Sequence, residues 1–166
     1  MSAIISPCGL YRYRLERNIS LLPAPSVAWI MVNPSTADAT EDDHTIRKVR
    51  GFSERFGFGR IIVGNLFAFR ATDIRALRTA ADPIGLDAGT HLRLIMRDAE
   101  KVIVAWGPLA KLPRHLRSRW HEVRGIAEAL CVPLYCLGTA QDGHPLHPLM
   151  QPYDRALTVW EAPHDR

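Results

Sequence analysis

Four short apolar runs, each about as long as a single buried strand, divide the chain. They occupy residues 27–32, 61–67, 102–106 and 134–137. Each run is nearly continuous rather than alternating, which is typical of strands covered on both faces. Between the runs, apolar residues recur every three or four positions, which predicts amphipathic helices. The pattern therefore favours a parallel sheet, because parallel strands need long connections of the kind that helices provide.

The predicted helices are bounded by residues suited to helix ends. Asp42 or Asp43 can cap the first helix, and Gly57 can end it. Further helical segments are predicted at about 72–77, 87–99 and 113–130. Ahead of the first apolar run, residues 10–15 read LYRYRL and alternate apolar with basic side chains. That alternation predicts a half-exposed strand at the edge of the sheet.

These elements together predict the α/β class and a single domain over residues 1–166. We expect a three-layer α/β/α arrangement with a short, mainly parallel central sheet of about four core strands and an N-terminal edge strand. No internal repeat, low-complexity tract or linker separates the chain into parts. A chain of this length can bury roughly two thirds of its unfolded surface.

Composition and charge narrow the class of protein. The chain is 47% hydrophobic and 23% charged, which is typical of a globular domain. It has neither an apolar run of roughly 20 residues nor a secretory signal pattern, so we expect a cytoplasmic location and no membrane partner. Three cysteines without CxxC spacing predict neither a disulfide framework nor a zinc site. The net charge of +4, carried mainly by arginine, points weakly to a polyanionic partner.

Polar and aromatic side chains follow each of the four predicted strands. The carboxyl ends of parallel strands meet at one edge of a sheet, where ligands bind in open α/β proteins. Aromatic rings can stack on a planar heterocycle, amides can read its edge, and arginine can neutralise an attached phosphate. The sequence therefore predicts a nucleobase or nucleotide site. The candidates are Asn33, Pro34, Ser35, Thr36, Asn65, Phe67, Phe69, Arg70, Trp106, His144 and His147.

Several of these candidates also have a structural interpretation. Asn33 stands before a proline and can hold a turn by bonding nearby backbone. Phe67 and Trp106 at strand ends can equally belong to the hydrophobic core. Ser35 and Thr36 can cap a following turn. Both interpretations stay open on the sequence alone.

Basic residues on the first predicted helix are the candidates for contact with nucleic acid. Arg47, Lys48 and Arg50 can bind a phosphate backbone, or they can form the solvated face of the helix. The acidic segment 38–43 is explained by helix capping and the helix dipole, so no metal site is predicted. The chain lacks the GxxxxGK[ST], GxGxxG and GxSxG motifs, so no cofactor and no serine hydrolase are predicted.

A series of ordered motifs resembles a bacterial family of uncharacterised single-domain proteins. The motifs are NPSTADA at 33–39, VGNLFAFRATD at 63–73, ADPIG at 81–85, AWG at 105–107 and DGHPLHPL at 142–149. The resemblance extends from Tyr11 almost to the C-terminus. It implies a shared domain fold and no assigned activity.

More distantly, the layout is similar to the uracil-DNA glycosylase superfamily. In that superfamily the first strand ends in a motif such as GINPG, and the last leads to a histidine–proline motif. The resemblance implies that Asn33 positions an attacking water and that His147, or alternatively His144, hydrogen-bonds a base oxygen. The serine-containing wedge motif HPSPLS is not reproduced, because a leucine follows the proline here.

Three functional hypotheses follow from the sequence. The first is a glycosylase-like hydrolase that cleaves an N-glycosidic bond in nucleic acid or a nucleoside derivative. The second is a non-catalytic module that binds a nucleotide or a nucleic acid. The third is a protein-interaction domain whose edge is filled by a partner. The sequence leaves the oligomeric state open.

Overall fold

A seven-stranded mixed sheet forms the centre of the structure, a computed structural model that describes residues 1–163. The strands are β1 (Ser2–Ile5), β2 (Arg12–Asn18), β3 (Ser26–Met31), β4 (Arg60–Asn65), β5 (Lys101–Val104), β6 (Leu134–Cys136) and β7 (Thr158–Val159). The helices are α1 (His44–Arg55), α2 (Ala88–Asp98) and α3 (Trp120–Ala129). Short 3₁₀ turns span Ile74–Arg78, Leu109–Lys111, Arg114–Arg119 and Pro148–Met150.

The order of the strands is β1-β2-β4-β3-β5-β6-β7. The four strands from β4 to β6 pair in parallel, and they arise from the four apolar runs. The outer pairs β1–β2, β2–β4 and β6–β7 are antiparallel. The predicted α/β class is therefore confirmed. Within residues 1–163 the sheet as a whole is mixed rather than mainly parallel, since three of its six pairs run antiparallel.

Helices pack on both faces of the sheet, as the apolar runs require. Alternate residues along each strand point to opposite faces. Trp29 faces α1 together with Val27 and Met31 of the same strand. The Trp29 indole donates a hydrogen bond of 3.0 Å to Ser53 Oγ on that helix. Ile30 faces α2 and α3, together with Val104 of the adjacent strand. Each of the four central strands is thus shielded from water on both sides.

The first helix begins where capping chemistry predicts. The Asp43 side chain accepts a hydrogen bond from the backbone N–H of Ile46 at 2.9 Å, and Gly57 follows the helix with φ of +80°. The last predicted helix differs, because residues 114–119 form a 3₁₀ turn and α3 begins only at Trp120. Within residues 1–163, no helix has both the length and the apolar character needed to cross a membrane.

The prediction of a half-exposed edge strand at residues 10–15 is wrong in two respects. Strand β2 lies inside the sheet between β1 and β4, and it is almost entirely buried. Its basic residues are accommodated by specific partners rather than by water. Arg14 pairs with Glu16 and Asp98, at 2.6 and 2.8 Å. The sequence pattern is the same whether the basic side chains are solvated or are paired with carboxylates from elsewhere in the chain.

Arg17 on β2 organises the acidic segment that precedes α1. Its side chain has 0% exposure, and its Nε lies 2.6 Å from Asp42 Oδ1. The same guanidinium donates to the backbone carbonyls of Asp38 and Glu41. The segment is thus fixed by one buried cation. Within residues 1–163, no group of three or more His, Cys, Asp or Glu side chains is arranged to hold a metal ion.

Removing this guanidinium tests how much the segment depends on it. We expect Arg17→Met to lower the free energy of unfolding by about 3 kcal/mol, because a buried ion pair and two carbonyl acceptors lose their partner. Arg97→Met is the matched control, since the Arg97 side chain is 66% exposed. We expect that control to stay within about 0.5 kcal/mol of wild type. Urea unfolding measures both, and equal stabilities for the two variants would contradict a structural role for Arg17.

Candidate functional site

The carboxyl ends of β4, β3 and β5 lie side by side in that order. Met31 at the end of β3 is paired with Asn65 at the end of β4. Backbone hydrogen bonds continue past the strands, from Leu66 N–H to Met31 O and from Ala105 N–H to Ile30 O, both at 2.8 Å. The loops that follow these three strands therefore leave from one place, which we call the carboxyl edge.

Asn33 ties two of these loops together. Its Nδ2 donates to Ala71 O at 2.8 Å and to Pro34 O at 3.1 Å, and Ala71 N–H bonds back to Pro34 O. This is the turn-holding role that the sequence left open. The bonds use only the amide nitrogen, so Oδ1 remains as an acceptor. Pro34 is buried, and the Ser35 and Thr36 hydroxyls make no hydrogen bond within residues 1–163.

Asn65, the last residue of β4, has a buried side-chain amide without a hydrogen-bond partner in residues 1–163. Its side chain is on the α1 face, in step with Ile61 and Val63, and the residue is only 5% exposed. Neither Oδ1 nor Nδ2 finds a partner among the atoms of residues 1–163. Leaving such an amide unpaired costs about 1–3 kcal/mol, and each such group in a native structure calls for an explanation. A ligand that both donates and accepts would satisfy it.

Two arginines with unpaired Nε atoms lie near this end of the sheet. Arg12 is 2% exposed and donates from Nη1 to Ala37 O, while its Nε has no partner within residues 1–163. Burial lowers the pKa of Arg12 to about 10, and the nearby charge of Arg70 adds to that effect. Arg70 Nε is also buried and unpaired, and its Nη1 reaches Gly9 O at 3.3 Å. The Arg12 guanidinium remains cationic at neutral pH.

Sequence reasoning missed Arg12 because a bulge in β2 is invisible in the pattern. Ile4 pairs with Arg14, but the next residue, Ile5, pairs with Arg12, so Tyr13 is passed over. A bulge of this kind turns side chains away from strict alternation. Arg12 thereby reaches Ala37 in the loop that follows β3.

His147 lies at the carboxyl edge, next to the end of β5. Its Cβ is 3.5 Å from the position that a Cβ would occupy on Gly107, and Gly107 N–H bonds to Pro145 O at 2.9 Å. The histidine–proline loop is therefore held against the residue that follows Trp106. A larger residue at Gly107 would also be strained, since its φ is +83°.

The imidazole of His147 is neutral at physiological pH. Burial lowers the pKa of His147 to about 4; the charge of Lys111 adds to this, and that of Asp43 opposes it. Nδ1 accepts a hydrogen bond from the Leu149 N–H at 3.3 Å, so the ring proton belongs on Nε2. His147 therefore offers a neutral N–H donor. The Asp43 carboxylate acts on both His147 and Arg12.

His144 and Trp106 belong to an aromatic cluster on the opposite face of the sheet. His144 is 4% exposed, and its Nδ1 accepts from the Trp106 indole at 3.4 Å. The rings of Trp120 and Trp160 also contact it, and burial lowers its pKa. His144 therefore has a structural partner for its ring, and Trp106 is in the core rather than at a ligand surface.

The predicted stacking residues are also placed in the interior. Phe67 is fully buried in the core beneath α2 and α3, so neither ring face is open to a ligand. Phe69 packs against the same core and contacts the Tyr11 ring edge-on at 6.1 Å. Both positions follow from the need to fill the space between the sheet end and the helices.

The basic residues predicted to bind nucleic acid are held by local partners on α1. Arg50 pairs with Asp42 at 3.0 Å, and Arg47 donates to Asp42 O and contacts His44. The Lys48 ammonium lies 3.9 Å from the centre of the Tyr153 ring. Within residues 1–163, Arg50 is therefore the one residue of the three that pairs with a carboxylate, while a backbone carbonyl and an aromatic ring hold Arg47 and Lys48 in place.

Comparison with family models identifies the chain. The family model described as Protein of unknown function (DUF1643) matches residues 12–149. The chain belongs to this family. The predicted resemblance to a family of uncharacterised proteins is therefore confirmed. Comparisons of the DUF1643 chain with curated proteins and with solved structures give no significant match.

The low pKa of His147 makes the stability of this DUF1643 protein depend on pH. An unfolded histidine has a pKa of about 6.5, so between pH 6.5 and 4 the unfolded chain binds a proton that the folded chain does not. Stability therefore falls as the pH drops through this window. The His147 contribution is at most about 3 kcal/mol, less whatever solvent access to the ring removes.

Urea unfolding at several pH values between 7 and 4 checks this expectation. We expect His147→Gln to lose less stability than wild type over the window. His144 also has a lowered pKa, but it is present in both proteins, so the difference between them isolates His147. Parallel stability curves for wild type and variant would show that His147 is not held neutral.

Proposed function

We propose that this DUF1643 protein binds a nucleobase or nucleotide at its carboxyl edge. The observation that carries the proposal is the buried amide of Asn65, whose donor and acceptor have no partner within residues 1–163. A nucleobase edge presents donors and acceptors side by side, and an asparagine amide can match such a pair with two hydrogen bonds.

The surrounding groups complement such a ligand. The Nε2–H of His147 is a neutral donor suited to a ring carbonyl, and Arg12 and Arg70 supply positive charge for a phosphate. Asn33 holds the loops after β3 and β4 together and so sets the shape of the edge. The location agrees with the general position of ligands outside the carboxyl ends of parallel strands.

Replacing Asn65 by leucine separates a binding role from a structural one. Leucine has a similar size but no polar atoms, so we expect Asn65→Leu to raise the free energy of unfolding by about 1 kcal/mol. For a chain of this size that is a rise of roughly 2–4 °C in Tm. Binding of nucleosides and nucleoside monophosphates, measured by calorimetry, should weaken by at least about tenfold, the cost of roughly one lost hydrogen bond to a buried group.

Asn18→Leu is the matched control, since Asn18 is an exposed asparagine at the end of β2. We expect neither its stability nor its binding to change appreciably. If Asn65→Leu instead destabilises the protein and wild type binds none of the nucleosides, the amide has a structural role and the proposal is wrong.

A second candidate function is hydrolysis of an N-glycosidic bond, as the glycosylase resemblance implies. The observation that favours it is the neutral His147 with its proton on Nε2. In this reaction the bond between the anomeric carbon and the base nitrogen breaks, and water adds to the carbon. The electron pair leaves with the base, which accepts a proton. A donor on the base oxygen stabilises the developing anion by about 3–4 kcal/mol, as in an oxyanion hole.

Base release from a panel of modified nucleosides and oligonucleotides tests this candidate. We expect His147→Gln to slow release by about 10²–10³-fold while ligand binding persists. His121→Gln is the control, because His121 is an exposed histidine on α3. No release by the wild-type protein, combined with intact nucleotide binding, would leave a binding module and exclude the hydrolase. The variant Asn33→Ala is a poor test of catalysis, because the Asn33 amide also holds two loops together and its loss would change the structure of the site.

A further inference from the structure

A groove rich in cations opens beside the carboxyl edge, and we propose that it holds the phosphate backbone of a nucleic-acid strand. The proposal rests on the function proposed above, since the strand would carry the base that the edge recognises. The groove has a volume of about 480 Å³. Its basic residues are Arg75, Arg78, Lys111, Arg114, His115 and Arg117.

The position of the groove follows from the order of the strands. One wall is the 3₁₀ turn after β4, which carries Arg75 and Arg78. The other wall is formed by the two 3₁₀ turns after β5. Because β3 lies between β4 and β5, these walls stand on either side of the end of β3. Gly107, which lies against His147, and Lys111 of the second wall belong to the same loop after β5, so that loop connects the groove to the candidate base site.

Most of the positive charge of this groove is not balanced by acids. No aspartate or glutamate lines it, and within residues 1–163 neither Arg78, Lys111 nor Arg114 forms an ion pair. Arg75 does pair with Asp73, at 2.6 Å. A net positive groove of this kind concentrates polyanions and gains free energy when phosphates replace small counterions.

A second groove, against α1, provides an internal comparison. It has a similar volume of about 450 Å³ and contains Arg47 and Arg50. It is also lined by Asp42 and Glu54, and Arg50 pairs with Asp42 at 3.0 Å. The difference between the grooves is therefore charge compensation rather than size, and only the groove beside the carboxyl edge suits a phosphate chain.

The walls of the basic groove are fixed before any ligand arrives. Arg117 donates from Nε to Leu112 O at 3.1 Å and from Nη2 to Ala110 O at 3.3 Å. On the opposite wall the Asp73 carboxylate caps the turn by accepting from the Arg75 N–H at 2.9 Å. Prefixed walls reduce the entropy that binding would otherwise cost.

The remaining lining predicts contact with the backbone rather than with bases. It consists of Ala110, Leu112 and Pro113, with no aromatic ring on which a base could stack. Binding in the groove should therefore be strongly dependent on salt and largely independent of sequence. Selection of a particular base is left to the carboxyl edge.

Fluorescence anisotropy with labelled 12-nucleotide strands of mixed sequence tests the proposal. Single- and double-stranded DNA and single-stranded RNA form its separate arms, each measured over a range of salt concentrations. We expect the double variant Arg78→Gln, Arg114→Gln to bind at least one arm about tenfold more weakly than wild type at 0.1 M salt. The slope of log K against log salt should fall by about 1.4 for a single strand. The control Arg93→Gln, Arg97→Gln removes the same charge from α2 and should bind as wild type does.

The outcomes distinguish the groove from the base site. An equal loss of strand affinity in both double variants would overturn the groove proposal, and so would the absence of wild-type binding in every arm. Neither result bears on nucleoside binding at Asn65, which is measured separately. Binding of inorganic polyphosphate more tightly than every strand, at the same phosphate concentration, would also overturn it, because the preferred occupant would then be another polyanion. Binding lost in the groove variant but unchanged in Asn65→Leu would support the groove and count against the base site.

Discussion

The buried guanidinium of Arg17 on β2 is the constraint on which the candidate site depends. Arg17 holds the acidic segment that follows β3, and that segment ends at Asp43, which caps α1. Helix α1 then packs against the turn Pro148–Met150, directly after His147. The position of the His147 imidazole therefore depends in part on the ion pair that holds the segment before α1. A buried charge is retained at a cost in desolvation, and it is tolerable here because the Arg17 guanidinium is bonded to a carboxylate and to backbone carbonyls.

The buried polar groups at the carboxyl edge, unlike Arg17, are not fully hydrogen-bonded. There the Asn65 amide and the Nε atoms of Arg12 and Arg70 are removed from water without a partner in residues 1–163. The same sheet thus contains polar groups that are fully bonded and polar groups that are not. Two further buried nitrogens, His91 Nδ1 and Arg119 Nη2, also lack a partner in residues 1–163, but Asn65, Arg12 and Arg70 supply four of the six unpaired atoms. This concentration at one end of the sheet is the reason for proposing a ligand there. Proteins commonly give up stability at the sites where they bind.

Much of the fold could be predicted because its signals are local. Continuous apolar runs mark buried strands, so the positions of four strands within a larger mixed sheet could be predicted. An aspartate at a helix start marks a cap, which left Asp42 and Asp43 as alternatives, and the structure has Asp43. The candidate site depends on longer-range geometry. The bulge that re-aims Arg12 changes no residue type, and the two histidines of one loop reach opposite faces of the sheet. Arginine in β2 also looked solvated, because the Asp42 and Asp98 carboxylates that neutralise it come from distant parts of the chain.

Charge illustrates why total composition is a poor guide to a binding surface. The net charge of +4 is modest, and Arg50 on α1, a candidate for phosphate contact in the sequence, is paired with Asp42. The groove after β4 and β5 has no acids, although its residues come from two segments about 35 positions apart. What matters for a polyanion is the local balance of charge within a Debye length of about 10 Å. That balance depends on how the chain is folded, which brings the basic turns after β4 and β5 together around one groove and binds the acidic segment after β3 to Arg17.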